Sequence, residues 1–188
     1  MGKKVDSTKN YIFDTDCLST FLGIGYEEYL FKLFKQIIIP RIVYDELCKY
    51  ISNNKPKFKE RLDELIAARK IIKCDFEIPS EEALLFYEMT HKTEMRGIKV
   101  IGDGEAACIA YAVTNKAVLC SNNMRDIRFY IEKYNLEYLT TADIFCILYE
   151  QRFMGLYEIE KCWSAIKKHS YLPEEHFSDY YEKMKSST

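Results

Sequence analysis

Short apolar runs alternate along this chain with longer stretches in which apolar residues recur every three or four positions. The short runs predict β-strands, and the helical spacing predicts α-helices between them. The predicted strands cover residues 11–14, 37–39, 71–74, 117–120 and 137–139. The predicted helices cover residues 17–35, 41–53, 57–69, 80–93, 104–115, 124–134, 141–153, 156–169 and 174–184.

The alternation of strands and helices predicts an α/β fold. Short connections between unlike elements favour a mainly parallel, five-stranded sheet with helices on both faces, an α/β/α sandwich. Ligands of such sheets collect at the carboxyl ends of the strands. A composition shift at Gly155 divides the chain into a main domain, residues 1–154, and a helical extension, 155–188, that we expect to pack on it.

The composition is that of a globular protein. Of 188 residues 48% are hydrophobic and 30% are charged, and the net charge is −2. A nucleic acid would therefore have to bind a local basic strip, since no overall positive field exists. Seven scattered cysteines without a Cys-x-x-Cys pair predict reduced, buried thiols rather than disulfides or zinc. No apolar run is long enough to span a membrane, so we expect a soluble, cytoplasmic protein.

Two carboxylates stand out in the first third of the chain. Asp14 ends an apolar strand, in Tyr-Ile-Phe-Asp-Thr-Asp, and Asp16 suits the role of helix cap better than Asp14 does. Glu46 shares a helical face with apolar residues, whereas Asp45 lines up with Arg41 and Lys49 on a solvated face. Asp14 and Glu46 are therefore candidate functional acids; for Glu46 the alternative is a buried carboxylate bonded to backbone.

Two more candidates lie in the second half. Glu105 shares a stripe with small apolar residues, and Asp103 before it is the expected N-cap. Asp126 is a candidate too, but with Asn123 as cap it also fits a capping box. Ser121 and Asn122, directly after a strand, are candidate neutral oxygen ligands.

Several carboxylates among apolar residues indicate a site for a hard divalent cation. Magnesium prefers about six oxygen ligands and is held by a few carboxylates together with substrate phosphate oxygens. Such a site can activate water for attack on phosphorus without a histidine. The three histidines stand in polar surroundings and are expected at the surface: His91, His169 and His176. Motifs of nucleoside-triphosphate, serine-hydrolase and zinc-protease sites are absent from the sequence.

These four motifs resemble those of the PIN-domain ribonucleases, especially the toxin nucleases of VapBC-type toxin–antitoxin pairs. The segment around Asp14 resembles their opening strand, and Ile-Val-Tyr-Asp-Glu-Leu places Glu46 at their second acid. Gly-Asp-Gly-Glu-Ala-Ala places Glu105 at the third acid, and Ser-Asn-Asn-Met-Arg-Asp places Asp126 at the fourth. Many family members carry an acid directly after the fourth strand, where this chain has Asn122 and Asn123.

The resemblance, over residues 10–150, implies cleavage of RNA with Mg²⁺ or Mn²⁺. In that scheme Asp14 and Glu105 coordinate metal directly and Glu46 positions metal or water. Asp126 contributes a second or water-mediated contact, assisted by Ser121 and Asn122. A small antitoxin that covers the acidic cleft is an implied partner, and a homodimer is a further one. Supporting roles fall to Asp16, Asp103, Ser121, Asn122 and Asn123.

Substrate contacts require basic and aromatic side chains. The segment from Asn54 to Lys59 combines both, with Lys55 and Lys57 as candidates, and further basic residues lie close to the acidic motifs. These further residues are Arg96, Lys99, Arg125 and Arg128. For each, a solvated surface side chain is the alternative.

Two other functions compete with the ribonuclease. Asp14-Thr-Asp16 and Ile-Gly-Asp103-Gly mimic motifs of haloacid-dehalogenase-like phosphatases, but Leu18, Ala106 and Ala107 break that pattern. The other alternative is a PIN-like domain that binds RNA or protein without catalysis. Metal-dependent RNA cleavage that disappears in Asp14→Asn would separate the enzyme from both.

Overall fold

A computed structural model shows a parallel sheet with helices on both of its faces. The structure describes residues 3–52, 55–91 and 100–186, with the backbone alone for Ser52, Lys55 and Pro56. The strands are β1 Tyr11–Phe13, β2 Ile37–Pro40, β3 Ile51–Ser52, β4 Lys55–Pro56, β5 Ile71–Cys74, β6 Val118–Cys120 and β7 Tyr138–Leu139. The helices are α1 Thr15–Ile24, α2 Leu30–Leu33, α3 Arg41–Cys48, α4 Lys59–Ala67, α5 Glu81–His91, α6 Asp103–Asn115, α7 Met124–Tyr134, α8 Thr141–Glu150, α9 Leu156–Lys167 and α10 Phe177–Ser186.

The main sheet has five strands in the order β5-β2-β1-β6-β7, and all neighbouring pairs are parallel. The predicted five-stranded parallel sheet is therefore confirmed. The central strands β1, β2 and β6 are buried along their whole length, as expected for strands covered on both faces. After β1 the chain forms β2 and β5 on one side of that strand, and later it forms β6 and β7 on the other side. The direction in which the sheet is built therefore switches between β1 and β6, and ligands bind at such switch points.

Helix α6 brings its backbone close to the sheet because its inner face consists of small residues. Gly104, Ala106, Ala107, Ala110 and Ala112 are all buried. The helix contacts β1, β2 and β6 and also packs against α3 and α5. Its first turn is thereby placed at the carboxyl edge of the sheet, where β1 and β2 end.

The C-terminal helices share the core of the rest of the chain. Trp163 of α9 is fully buried, and its ring lies 6.2 Å from the ring of Phe145 in α8 and 5.5 Å from that of Phe177 in α10. Its indole nitrogen donates to the carbonyl of Glu174 at 3.0 Å. Helix α9 also contacts α1, the helix that follows Asp14.

Two predicted helices are wrong in extent. The helix predicted over 17–35 ends at Ile24, because Gly25 adopts a left-handed conformation (φ 72°), and a 3₁₀ turn, Glu27–Tyr29, and the short α2 follow. The helix predicted over 41–53 ends at Cys48, and β3 pairs antiparallel with β4 instead. Residues 92–93, the predicted end of another helix, lie outside the described residues.

Candidate metal and nuclease site

Asp14 follows β1 directly, at the switch point of the sheet. Its backbone N–H donates to the carbonyl of Cys120 at 3.0 Å, which extends the pairing of β1 with β6 by one residue. Its carboxylate accepts from the backbone N–H of Cys17 at 2.7 Å, so Asp14 is the N-cap of α1. The prediction that Asp16 caps this helix is wrong: Asp16 lies in the first turn and is exposed.

Burial controls the ionisation of Asp14. The side chain is 3% exposed, and this desolvation raises its pKa from the ordinary 3.8 to about 7. Hydrogen bonds from the Ser121 hydroxyl and the Cys17 amide oppose the rise, whereas the neighbouring carboxylates of Asp16 and Glu105 add to it. A buried acid surrounded by further acids is the charge pattern of a cation site.

Glu46 reaches this edge from α3. Its carboxylate accepts a hydrogen bond from the hydroxyl of Thr15, the residue after Asp14. A Cβ atom at Gly104 would lie 2.6 Å from Glu46 Oε2, so the carboxylate rests against the α6 backbone where only glycine leaves room. The side chain is half-buried, and Asp45 is exposed with Arg41 at 3.9 Å, as predicted for the two faces.

Glu105 lies in the first turn of α6. One carboxylate oxygen accepts from the backbone N–H of Gly102 at 3.2 Å, and the other accepts from the side-chain amide of Asn123. Partial burial raises the pKa of Glu105, and the charges of Asp126 and Glu46 add to that rise. The prediction that Asp103 is the N-cap is wrong, because the helix already includes Asp103 and Gly102 occupies the cap position.

The residues after β6 position these acids. The Ser121 hydroxyl counteracts the rise that burial causes in the pKa of Asp14, and the Asn122 side chain does the same for Asp16. The side-chain amide oxygen (Oδ1) of Asn122 accepts from the backbone N–H of Thr141 at 2.8 Å, so this oxygen anchors α8 instead of facing the cleft as a free ligand.

Asn123 connects the remaining two acids. Its amide nitrogen donates to Glu105 and, at 2.8 Å, to Asp126. Asn123 is the N-cap residue of α7, but its side chain makes no capping bond because it is used by these carboxylates. The neutral side-chain amide of Asn123 thus bridges the carboxylates of Glu105 and Asp126.

A cleft of about 200 Å³ collects most of these groups. It is lined by Asp14, Thr15, Asp16, Glu46, Gly102, Gly104 and Glu105. Asp126 lies outside this lining and is linked to it through Asn123. Thr15 and Gly104 are the site residues that sequence reasoning missed, although both lie inside the motifs that located the acids.

Within the described residues, Asp14, Glu46 and Glu105 form no ion pair with lysine, arginine or histidine. In the same part of the chain, no three His, Cys, Asp or Glu side chains stand where they could hold a metal ion without moving. The reason is visible in the contacts: Glu46 is turned to Thr15, and Glu105 is turned to Gly102 and Asn123. The donors themselves are all oxygens, which fits a hard cation.

A family model described as PIN domain (DUF3368) matches residues 10–186 of this sequence. The chain belongs to the PIN-domain family. The match includes α9 and α10, so both C-terminal helices lie within the family's extent. No functionally curated protein matches this chain.

Solved structures share the fold of this PIN domain. A chain of the VapBC2 structure from Rickettsia felis, bound to a DNA fragment from its promoter, matches with a TM-score of 0.50 at 19% identity, over 69% of this chain and 97% of that one. A chain of the VapBC-1 structure from nontypeable Haemophilus influenzae matches with a TM-score of 0.50 at 17% identity, over 70% of this chain and 98% of that one. Membership of the PIN family favours the nuclease interpretation over the phosphatase interpretation.

The basic residues predicted to bind substrate are spread over the surface of this PIN domain. Lys57 is exposed beside α4, and Arg125 and Arg128 are exposed on α7. Lys55 lies in β4, where only its backbone is described, and Arg96 and Lys99 lie outside the described residues. The three histidines are exposed, as predicted.

The cysteines of the PIN domain confirm the prediction of free thiols. None of the seven forms a disulfide, and five are buried. Burial raises the pKa of Cys17, Cys108 and Cys120 well above the ordinary value, so these thiols stay protonated at neutral pH. Among the described helices, none combines the length and apolar character needed to cross a bilayer.

Proposed function

We propose that this chain is a divalent-cation-dependent ribonuclease and the toxin of a toxin–antitoxin pair. The observation that carries the proposal is the meeting of three acids from different elements at one cleft. Asp14 comes from the end of β1, Glu46 from α3 and Glu105 from α6, and within the described residues no cationic side chain neutralises them. Such a concentration of carboxylates is stable only with a cation or a proton to offset it.

The oxygen ligands present suit Mg²⁺ or Mn²⁺ by their chemistry. Asp14 and Glu105 are the proposed direct ligands, Glu46 positions metal or water, and Asp126 adds a second or water-mediated contact. When bound, the ion activates water and stabilises negative charge on the leaving oxygen of a phosphodiester. Glu46 and Glu105 would have to leave their present hydrogen-bond partners and turn into the cleft, which long glutamate side chains can do by rotation of their torsions.

Neighbouring groups of the chain hold the acids in place before metal binds. The Cys17 amide holds Asp14 in one orientation at the strand end, and the Ser121 hydroxyl lowers its pKa. Without metal, Thr15 holds Glu46, and Asn123 bridges Glu105 and Asp126. Gly104 leaves space for the Glu46 carboxylate.

The proposed partner is a small antitoxin that covers the acidic cleft and inserts a basic side chain among the carboxylates. The solved neighbours bear the names of VapBC structures, one of them bound to a promoter fragment, and this supports the assignment to such a pair. RNA is the proposed substrate, the cytoplasm the proposed location, and a homodimer a further possible assembly. We expect the neighbouring reading frame to encode a short DNA-binding protein that co-purifies with this chain. If no neighbouring gene encodes a protein that co-purifies with the chain, the toxin role is wrong.

Cleavage of RNA by the purified full chain tests the enzyme. We expect cleavage with Mg²⁺ or Mn²⁺, loss of cleavage with EDTA, and a fall of the rate by a factor of about 100 or more in Glu46→Gln, since charge stabilisation at such sites contributes several kcal/mol. The matched control is Asp45→Asn, which removes the same charge one residue away on the exposed face and should cleave at the wild-type rate. Gel-resolved cleavage of a labelled single-stranded RNA measures both.

Two results would overturn this proposal. Wild-type protein that binds RNA but never cleaves it with any divalent ion would be the non-catalytic module. Protein that hydrolyses a small phosphate monoester, with loss of that activity in Asp14→Asn and no RNA cleavage, would be the phosphatase.

A further inference from the structure

A second pocket of about 300 Å³ adjoins the acidic cleft. It lies between α1, the start of α4 and the C-terminal end of α9, and Asp16 lines both the pocket and the cleft. A volume of this size is at the lower end of the range for small-ligand sites, roughly 300–1,000 Å³. The acidic cleft and the second pocket thus lie on either side of Asp16.

One wall of the second pocket carries an exposed aromatic ring. Tyr50 is 46% exposed, and its ring lies 5.6 Å from that of the buried Phe58, tilted by 51°. The Tyr50 carbonyl accepts from the backbone N–H of Lys57 at 2.6 Å, which fixes the two residues side by side. A ring supported from behind and open to a pocket is a surface on which a nucleobase can stack.

The same wall carries a cation without a carboxylate partner. The Lys57 ammonium lies 4.8 Å from the centre of the Phe58 ring, and no acid among the described residues pairs with it. His169, just beyond α9, contributes an exposed imidazole ring to the lining of the same pocket. Positive charge next to an aromatic ring is the combination that single-stranded nucleic acids require.

A glycine keeps the second pocket open. Gly23 lies inside α1 and lines the pocket, and a Cβ atom added there would meet nothing within 4 Å. Glycine inside a helix is less stable than alanine, and at this position neither a steric conflict nor a positive φ requires it. The absent side chain instead leaves room for a ligand.

We propose that the second pocket binds one nucleotide of a single-stranded RNA adjacent to the phosphodiester that is cleaved, with its base on Tyr50 and its phosphate at Lys57. This inference rests on the proposed ribonuclease function and names where its substrate lies. It also gives α9 of the C-terminal helices a direct part in substrate binding, since the end of that helix forms one side of the pocket.

The test measures RNA binding and cleavage separately with the full chain. The probe is a fluorescein-labelled, 12-nucleotide, single-stranded RNA of mixed sequence; anisotropy in EDTA gives Kd, and cleavage with Mn²⁺ gives KM and kcat. We expect Tyr50→Ala to raise Kd and KM about tenfold, the usual loss of one stacked base, with kcat unchanged and with Tyr50→Phe close to wild type. Tyr157→Ala is the matched control, because Tyr157 is 87% exposed at the opposite end of α9.

Charge and space are tested by two further pairs of variants. Lys57→Gln should lower the slope of log Kd against log salt by about 0.7, the value for one phosphate contact on a single strand. Lys35→Gln, an exposed lysine before β2 at the opposite edge of the sheet, should leave that slope unchanged. Gly23→Phe should fill the pocket and raise KM at least tenfold, whereas Gly155→Phe, before the opposite end of α9 and also with nothing within 4 Å of an added Cβ atom, should bind as the wild type does.

The outcomes separate this inference from the proposed function. Wild-type cleavage combined with pocket variants whose Kd and KM stay within twofold of wild type would overturn the second pocket while the ribonuclease stands. RNA binding that depends on Tyr50 and Lys57 without any cleavage would support the pocket and overturn the enzyme. Variants that lose affinity for an antitoxin but not for RNA would assign the pocket to the protein partner and overturn its role in RNA binding.

Discussion

Asp14 combines three tasks in one side chain. It ends β1, it caps α1 through the Cys17 amide, and it is the most buried acid of the cleft. The cap and the strand end require only a short acceptor, which asparagine also provides. The negative charge of Asp14 is therefore not needed for the cap or the strand end, and the proposed metal site gives a reason for it.

The raised pKa of Asp14 predicts how stability depends on pH. With a pKa of about 7 in the folded chain against 3.8 ordinarily, the protonated acid favours the fold, so stability falls as pH rises through the window from about 4 to 7. Without added metal, Asp14→Asn should remove this fall. Between pH 5 and pH 8 the wild type should lose about 2.5 kcal/mol relative to the variant.

Urea unfolding of both proteins in EDTA at a series of pH values measures that difference. Below the ordinary pKa the two curves should differ by a constant, because Asp14 is protonated in both folded and unfolded chains. Parallel curves across the whole range would show that Asp14 titrates as an ordinary surface acid.

Among the elements, helices α3 and α6 approach each other closely because Gly104 of α6 has no side chain at the contact. Helix α3 carries Glu46 against the first turn of α6, and Gly104 provides the space for its carboxylate. Glu105, one residue further, faces Asn123 instead. The separation of the acids thus depends on the close approach of α3 and α6.

Gly104→Ala should separate activity from stability. The added methyl group would meet the end of the flexible Glu46 side chain at 2.6 Å, so Glu46 must turn away, while the helix gains roughly 0.5–1 kcal/mol from alanine. We expect unfolding free energy within about 1 kcal/mol of wild type and cleavage reduced at least tenfold. Gly155→Ala, before α9 and with open space around it, is the control and should leave cleavage unchanged.

Circular dichroism and RNA cleavage on the same preparations measure both quantities. An active Gly104→Ala protein would mean that the position of Glu46 does not matter for the reaction, which would remove it from the site.

At the scale of the whole molecule, one hydrophobic core runs from the sheet into the C-terminal helices. Trp163 contacts the rings of Phe145 and Phe177, and α9 packs on α1 next to the cleft. The extension 155–188, which we propose as an appendage to the main domain, is thereby coupled to the helix that Asp14 caps.

Trp163→Ala should destabilise the complete chain and not only its C-terminal end. The loss of a fully buried tryptophan costs about 3–5 kcal/mol, and because the core is shared, unfolding should stay a single transition at lower denaturant concentration. Fluorescence cannot follow this variant, since Trp163 is the only tryptophan, so far-UV circular dichroism is the measurement. Two separated transitions would show an independent C-terminal unit; Trp163→Phe should lose less.

The apolar pattern alone predicted the succession of strands and helices along the chain, and the carboxylates within that pattern marked the four acids as candidates. Both follow from local information: the spacing of apolar residues along β1, β2 and β6, and the occurrence of carboxylates inside apolar segments. The breaks at Gly25 and Cys48 were missed because an amphipathic pattern continues past them, although glycine at residue 25 and isoleucine at 51 are local signals of a helix end and a strand.

The neighbours of each acid became known from the folded chain and not from the sequence pattern. Asp14 and not Asp16 caps α1, and Gly102 and not Asp103 is the cap residue of α6. The contacts of Glu46 with Thr15 and of Asn123 with Glu105 join segments 31 and 18 residues apart in the chain. Periodicity carries no information on such pairs, since burial and hydrogen-bond partners arise when the elements pack.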